Sequence, residues 1–98
     1  MTPSQPSGDI SDPGLNAPIA TQRQYLLQEL NKLRNSVGSR SVVLDATLNN
    51  VAQGHSQNMA TNNFFSHVDP SGKSPHQRLL DIGVRTANAE NIALAFSL

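Results

Sequence analysis

The 98-residue sequence contains no cysteine and no tryptophan, and its aromatic residues are one tyrosine and three phenylalanines. Without cysteine there is no disulfide framework and no thiolate that could act as nucleophile or metal ligand. No apolar run approaches the roughly 20 residues that a membrane-spanning helix needs. The first residues are polar and proline-containing, unlike the apolar centre of a secretory leader. The sequence therefore predicts no membrane span and shows no signal peptide.

An excess of charge of one sign is also absent, since 7 lysines and arginines balance 7 aspartates and glutamates. The two signs are interspersed along the chain and form no long block of like charge. Nucleic-acid binding needs clustered lysine and arginine side chains that displace counterions from the phosphates. We therefore expect no nucleic-acid partner.

Proline is concentrated at the start of the chain, where residues 1–20 hold four of the six prolines together with serine, glycine and aspartate. Such a segment buries too little apolar surface to offset the entropy lost on ordering. We predict a disordered arm or linker over residues 1–20 and a single folded region over residues 21–98. That region is small. In chains below about 70–80 residues, a single hydrophobic core rarely supplies more than 3–5 kcal/mol of stability unless disulfides, a metal or oligomerisation add to it.

The first helix is predicted over about residues 21–36. Thr21 with Gln24 fits a capping box at its start, and Gly38 stands where a helix is commonly followed by a left-handed glycine. Apolar residues recur along it at helical spacing, and they are Leu26, Leu30, Leu33 and Val37.

Two further helices follow the same rules. Asp45 is a good N-cap for a helix over about residues 46–62. Ser74 and Gln77 form a second capping-box pattern at the start of a short third helix, which Gly83 ends. Between these helices, Asp-Pro-Ser-Gly at residues 69–72 predicts a turn.

Two segments are predicted to be extended. Residues 41–44 are short and β-branched and indicate a weak strand, and residues 91–96 are apolar enough for a buried strand. A strand at the end of the chain would leave an unpaired edge. We therefore expect more sheet beyond Leu98, or a partner chain that completes the sheet.

Four stretches of the sequence carry a resemblance to a known family: LQELNKLR at 27–34, LNNVAQGHSQNMA at 48–60, NNFFSHVDPSGKSPHQRLLDIG at 62–83 and AENIA at 89–93. They occur in the order and spacing found in bacterial members of the CAP superfamily, the cysteine-rich secretory proteins, antigen 5 and pathogenesis-related 1 proteins. The chain resembles this family over about residues 25–95. The resemblance implies an α+β fold, an α–β–α sandwich, of which the chain would hold the N-terminal part with three helices and one or two strands. It departs from the family at Ala89, often glycine, and at Gly54 inside the second helix.

The resemblance also implies a cavity lined by two histidines and two glutamates. Its first histidine falls on His67 and its first glutamate on Glu90, while the second pair is expected beyond Leu98. The complete cavity would hold a divalent metal such as zinc, with His67 and Glu90 among its ligands. Because a catalytic zinc site commonly uses three protein ligands, we expect no metal cofactor in these 98 residues alone, and we assign no catalytic residue.

The residues themselves leave alternatives open. An imidazole at position 67 can ligate a metal, transfer a proton or order a loop, and the His67–Glu90 pair can equally be a buried polar network. His55 lies on the apolar face of the second helix and is predicted to be a packing histidine, whereas His76 is predicted to be solvated. Ser66 lacks the sequence context of an activated nucleophile.

The function implied by the resemblance is a secreted binding or interaction module of the cell exterior or cell envelope, with a lipid-like or protein ligand. One alternative is a metal-assisted hydrolase or protease, in which a glutamate acts as general base and a histidine as metal ligand. Another is a purely structural domain of a surface protein.

Overall fold

A computed structural model describes residues 9–86 and 89–95 of the chain. This part contains three α-helices: α1 (Ile19–Ser36), α2 (Ala46–Asn62) and α3 (Pro75–Leu80). The chain divides into two compact units, Met1–Leu44 and Asp45–Leu98. The first unit contains α1, and the second contains α2 and α3.

The described residues form no strand, so the prediction of an α+β fold with one or two strands is wrong for this part of the chain. Residues 41–44 and 91–95 have irregular backbone, and residue 96 lies outside the described residues. A strand needs a neighbouring strand to pair its N–H and C=O groups. Val42 finds a side chain instead, because its N–H donates to Asn31 Oδ1 and its carbonyl accepts from Asn31 Nδ2, both at 2.8 Å.

Helix α1 begins earlier than predicted. Its N-cap is Pro18, with no side-chain capping bond, so the predicted capping box at Thr21 is wrong. Proline fixes φ and has no N–H to satisfy, which suits the start of a helix. Gln22 instead holds the preceding turn, because its Nε2 donates to the carbonyls of Leu15 at 3.0 Å and Ala17 at 2.7 Å.

The starts of α2 and α3 agree with the sequence. The Asp45 carboxylate accepts a hydrogen bond from the N–H of Leu48 at 2.9 Å, and the Ser74 hydroxyl accepts from the N–H of Gln77 at 3.1 Å. Each bond satisfies one of the free N–H groups at a helix start. The Gln77 side chain does not complete a capping box, since it donates to Asp81 at 2.7 Å.

The three helices end in the same way. Gly38, Asn63 and Gly83 have left-handed backbone, with φ of 81°, 56° and 83°. This conformation lets the next residue's N–H reach a carbonyl of the last helical turn. The predicted ends at Gly38 and Gly83 are confirmed. The three closing bonds are Ser39 to Arg34, Phe64 to Met59 and Val84 to Leu79.

In the first unit, residues before α1 contact the helix. The Ile10 N–H donates to Gln28 Oε1 and the Ile10 carbonyl accepts from Gln28 Nε2, both at 2.7 Å. Asp9 lies 3.2 Å from the Lys32 ammonium. Residues 1–8 of the predicted arm lie outside the described residues, and the predicted boundary at residue 20 stays a prediction.

Burial is concentrated in the second unit. Over residues 9–86 and 89–95, the buried side chains are Leu79 on α3, 7% exposed, and His55 on α2, 4% exposed. Large apolar side chains of α1, such as Leu26, Leu30 and Leu33, are exposed. The second unit therefore provides the more enclosed surroundings, and both predicted site residues belong to it.

Candidate functional site

The segment that carries His67 is held by a histidine of α2. His55 Nε2 lies 2.8 Å from the Ser66 carbonyl oxygen, and since a carbonyl can only accept, the imidazole donates. The His55 ring meets Phe64 edge-on, with centroids 5.7 Å apart. The prediction that His55 packs rather than ligates agrees with this burial and with these contacts. His55 Nδ1 is buried and has no hydrogen-bond partner among the described residues.

His67 and Glu90 are in direct contact. Nδ1 of His67 lies 2.7 Å from Oε1 of Glu90, and the side chains are 50% and 17% exposed, respectively. An ionised carboxylate can only accept a hydrogen bond, so Nδ1 carries the proton. In the neutral ring, Nε2 then keeps its lone pair. The structure thus brings together the two residues that the sequence singled out, and it identifies the imidazole atom that remains available.

Arg78 of α3 completes this cluster. Its Nη2 donates to Glu90 Oε2 at 2.8 Å, and its Nη1 donates to the carbonyls of His67 and Lys73, each at 3.0 Å. The side chain is 12% exposed, and Nε is buried with no hydrogen-bond partner in the described part of the chain. Arg78 was not predicted from the sequence. The sequence feature that could have indicated a role for it is its position, one turn inside a helix capped by Ser74 and directly before Leu79.

The cluster sets the charge state of Glu90. Burial raises the pKa of the Glu90 carboxyl, but the hydrogen bonds from His67 and Arg78 and the positive charge of Arg78 outweigh burial, so the pKa lies below its ordinary value. Hydrogen bonds to the charged form and a nearby opposite charge both favour ionisation. Glu90 is therefore an anion near neutral pH, which makes it a strong acceptor for the imidazole N–H.

The predicted turn between His67 and α3 is confirmed. The Gly72 N–H donates to the Asp69 carbonyl at 2.9 Å. Asp69 Oδ1 also accepts from the N–H and hydroxyl of Ser71, at 3.0 and 2.6 Å, and from the N–H of Lys73 at 2.9 Å. The bonds from Ser71 and Lys73 lower the pKa of the Asp69 carboxyl. This turn places the Lys73 carbonyl where Arg78 can reach it.

A pocket of about 270 Å³ adjoins the cluster. Glu90 contributes to the pocket wall, whereas His67 is not one of the lining residues. The pocket therefore shares one residue with the polar cluster and is otherwise mainly apolar. Its lining consists of residues of α2, α3 and the segment 89–91, namely Leu48, Asn49, Val51, Ala52, Pro75, Leu79, Ala89, Glu90 and Asn91.

The donor set does not by itself match a catalytic zinc site, which commonly has three protein ligands. In the described residues, no three His, Cys, Asp or Glu side chains are grouped so that they could hold a metal. Both oxygens of Glu90 already accept hydrogen bonds. The His67–Glu90 pair offers one oriented imidazole nitrogen, Nε2 of His67. The metal assignment of His67 and Glu90 stays a prediction.

The two other polar residues considered in the sequence lie outside the cluster. The Ser66 hydroxyl accepts a hydrogen bond from the N–H of Val68 at 3.1 Å, which is a contact within the loop. His76 is an exposed residue of α3, as predicted. The Ser66 contact therefore does not add to the His67–Glu90–Arg78 cluster.

The family assignment comes from a comparison with protein-family profiles. The profile described as the cysteine-rich secretory protein family, CAP, matches residues 27–97. The chain belongs to the CAP family. The match covers most of the chain and includes His67, Arg78 and Glu90, and it confirms the resemblance seen in the sequence. A search of curated proteins and a search of solved structures found no match.

The family assignment does not change the finding that the described residues contain none of the predicted strands. The described residues of this CAP chain are helical or irregular, although the family fold is an α–β–α sandwich. In those residues there is also no helix long and apolar enough to cross a bilayer.

Proposed function

We propose that this CAP-family chain is a binding module of the cell exterior, and that it receives the apolar end of a lipid-like ligand in the pocket beside Glu90. The observation that carries this proposal is the pocket itself. Its volume of about 270 Å³ lies just below the roughly 300–1,000 Å³ typical of small-molecule sites. A pocket of this size suits the end of a chain-like molecule.

The lining of the pocket favours an apolar group. Leu48, Val51, Pro75 and Leu79 supply aliphatic surface from two helices. Removing apolar surface from water contributes about 25 cal/mol per Å². An alkyl chain placed there would gain this free energy without needing hydrogen bonds.

The polar part of the pocket favours a ligand with a hydroxyl head. Glu90 and Asn91 lie at the pocket, and the Glu90 carboxylate is already balanced by the Arg78 guanidinium. A carboxylate oxygen has more than one lone pair, so each can accept a further hydrogen bond. A neutral donor such as an alcohol therefore fits better than a second anion, which has no proton to donate to the carboxylate.

The test is a titration of the 98-residue chain with 1-octanol and, separately, with octanoate, followed by NMR at the pocket residues. We expect saturable shifts at Leu79 and Val51 with 1-octanol and weaker binding of octanoate. Ala52→Trp should fill the pocket and weaken 1-octanol binding about tenfold or more, equivalent to 1.4 kcal/mol.

The matched control is Ala60→Trp. Ala52 and Ala60 are both exposed residues of α2, but only Ala52 lines the pocket. We expect Ala60→Trp to bind 1-octanol like the unmodified chain. Non-saturable binding, or equal losses in the two variants, would contradict the proposed ligand site.

A divalent metal is the second candidate ligand, favoured by the orientation of His67. Metal-binding histidines commonly donate their other ring N–H to a carboxylate, which fixes the tautomer and orients the ring. The Nδ1 contact with Glu90 has this form. Because the His67–Glu90 pair offers one free nitrogen, Nε2 of His67, we expect zinc to bind weakly.

The hydrolase alternative gains no supporting contact from the described residues. Its predicted general base would be a glutamate, and both oxygens of Glu90 accept hydrogen bonds from His67 and Arg78. Turnover of a peptide or ester panel, with and without zinc, would be the result that favours it over a binding module. Secretion and a place at the cell exterior are part of our proposal, and CAP membership supports them.

A further inference from the structure

The strongest unassigned feature of the second unit is Arg78, which joins three separate parts of the chain. One guanidinium nitrogen donates to the carbonyls of His67 and Lys73, and the other donates to the Glu90 carboxylate. These acceptors belong to the loop after α2, the turn before α3 and the segment after α3. A single side chain therefore sets the relative positions of the two predicted site residues.

These contacts need the shape of a guanidinium. It is planar, remains charged at all relevant pH values, and presents five N–H donors in a fixed fork. A lysine ammonium has the same charge but is a compact donor on a flexible stem. It cannot span the His67 carbonyl and the Glu90 carboxylate in the same fixed geometry.

The guanidinium also determines how the Glu90 oxygens are used. Oε2 accepts from Arg78 at 2.8 Å and Oε1 accepts from His67 Nδ1 at 2.7 Å. With one oxygen anchored on Arg78, the other is held in line with the imidazole. The same arginine holds the His67 backbone through its carbonyl at 3.0 Å, so both partners of the histidine–glutamate contact are fixed from one point.

We propose that Arg78 is the positioning residue of this site, and that by holding Glu90 and the His67 backbone together it fixes His67 in the tautomer that presents an unprotonated Nε2. Arg78 is not one of the residues that line the pocket, and it acts through His67 and Glu90. The inference rests on the proposed binding function only for its biological purpose, because the tautomer can be measured without any ligand.

The experiment compares the full chain with Arg78→Lys and Arg78→Met by two-bond ¹⁵N–¹H correlation of the His67 ring, at a pH where imidazole is neutral. In the unmodified chain we expect the Nδ1–H form to dominate. In both variants we expect this dominance to be lost. Arg85→Met is the matched control, since Arg85 is exposed in the same unit, and it should leave the tautomer unchanged.

Each outcome decides the proposal. A dominant Nδ1–H form in both Arg78 variants, or full rescue by lysine, would overturn it. Loss of the α2 and α3 amide signals in both variants would show that Arg78 serves folding alone, and would overturn it as well. The proposed ligand site fails independently, through absent 1-octanol binding in a chain whose His67 tautomer is intact.

Discussion

His67 and Glu90, 23 residues apart in the chain, meet through one contact of 2.7 Å between Nδ1 and Oε1. The contact joins the loop after α2 to the segment after α3. It turns the histidine ring so that Nε2, and not Nδ1, remains available. The carboxylate therefore works in this geometry as the acceptor that orients an imidazole.

If His67 and Glu90 belong to a metal site, zinc binding should depend mainly on His67. We expect the chain to bind Zn²⁺ weakly. His67→Ala should abolish the detectable affinity, because His67 Nε2 is the nitrogen of the pair whose lone pair remains free to bind a metal. Glu90→Gln should weaken binding about 10-fold or more, as expected for loss of a carboxylate that orients a metal-binding histidine. Isothermal titration calorimetry measures these affinities.

His76→Ala is the control for zinc binding, because His76 is an exposed histidine of the same unit. It should retain the affinity of the unmodified chain. If His67→Ala and Glu90→Gln both bind zinc like the unmodified chain, the assignment of the metal ligands is wrong.

Glu90 predicts a pH-dependent stability. Its pKa is lower in the folded chain than its ordinary value, which is about 4.3 in unfolded peptides. The unfolded chain therefore takes up the proton first as the pH falls, and the contribution of Glu90 to stability is present above about pH 4.3 and lost as the pH drops through the lower native pKa. Urea unfolding of the chain and of Glu90→Gln between pH 7 and pH 3 measures this.

The difference in the free energy of unfolding between these two proteins should be largest at neutral pH and should shrink towards pH 3. This convergence is an internal control, since a steric defect of glutamine would persist at every pH. A difference that stays constant over the whole range would show that Glu90 gains nothing from its ionisation.

The contacts of His55 predict that this residue stabilises the loop that carries His67. His55→Ala removes the donor to the Ser66 carbonyl and the packing against Phe64. A fully buried acceptor left unsatisfied costs about 1–3 kcal/mol. Because the Ser66 contact is part-buried, we expect a loss of stability near the lower end of this range, about 1 kcal/mol, in urea unfolding. His76→Ala should cost much less, because His76 is exposed. Equal effects of the two substitutions would mean that the Ser66 contact is not stabilising.

The glycines predict opposite effects of the same substitution. Gly54 lies inside α2, and a Cβ there would meet nothing within 4 Å. We expect Gly54→Ala to stabilise the chain by about 0.5–1 kcal/mol, since glycine is unfavourable in a helix interior. Gly38 has φ of 81°, so Gly38→Ala should destabilise by about 1–2 kcal/mol. If Gly54→Ala and Gly38→Ala changed the free energy of unfolding in the same direction, the roles assigned to these two glycines would be wrong.

Local signals were readable from the sequence because they act over a few residues. Asp45 and Ser74 cap their helices as predicted, since a capping side chain bonds an N–H three positions ahead. Gly38 ends α1 because its own backbone conformation allows it. The exception is Thr21, which has the sequence pattern of a capping box although the helix begins after Pro18. A short pattern does not distinguish between two possible helix starts that lie a few residues apart.

The sequence by itself therefore determined the three helices, most of their ends, the turn at residues 69–72 and the CAP family of the chain. The tertiary structure decided what depends on partners far along the chain. It showed that residues 41–44 and 91–95 have irregular backbone where strands were predicted, and that Arg78 reaches both His67 and Glu90. The physical reason is that residue order indicates which groups can bond, whereas only three-dimensional proximity decides which of them do.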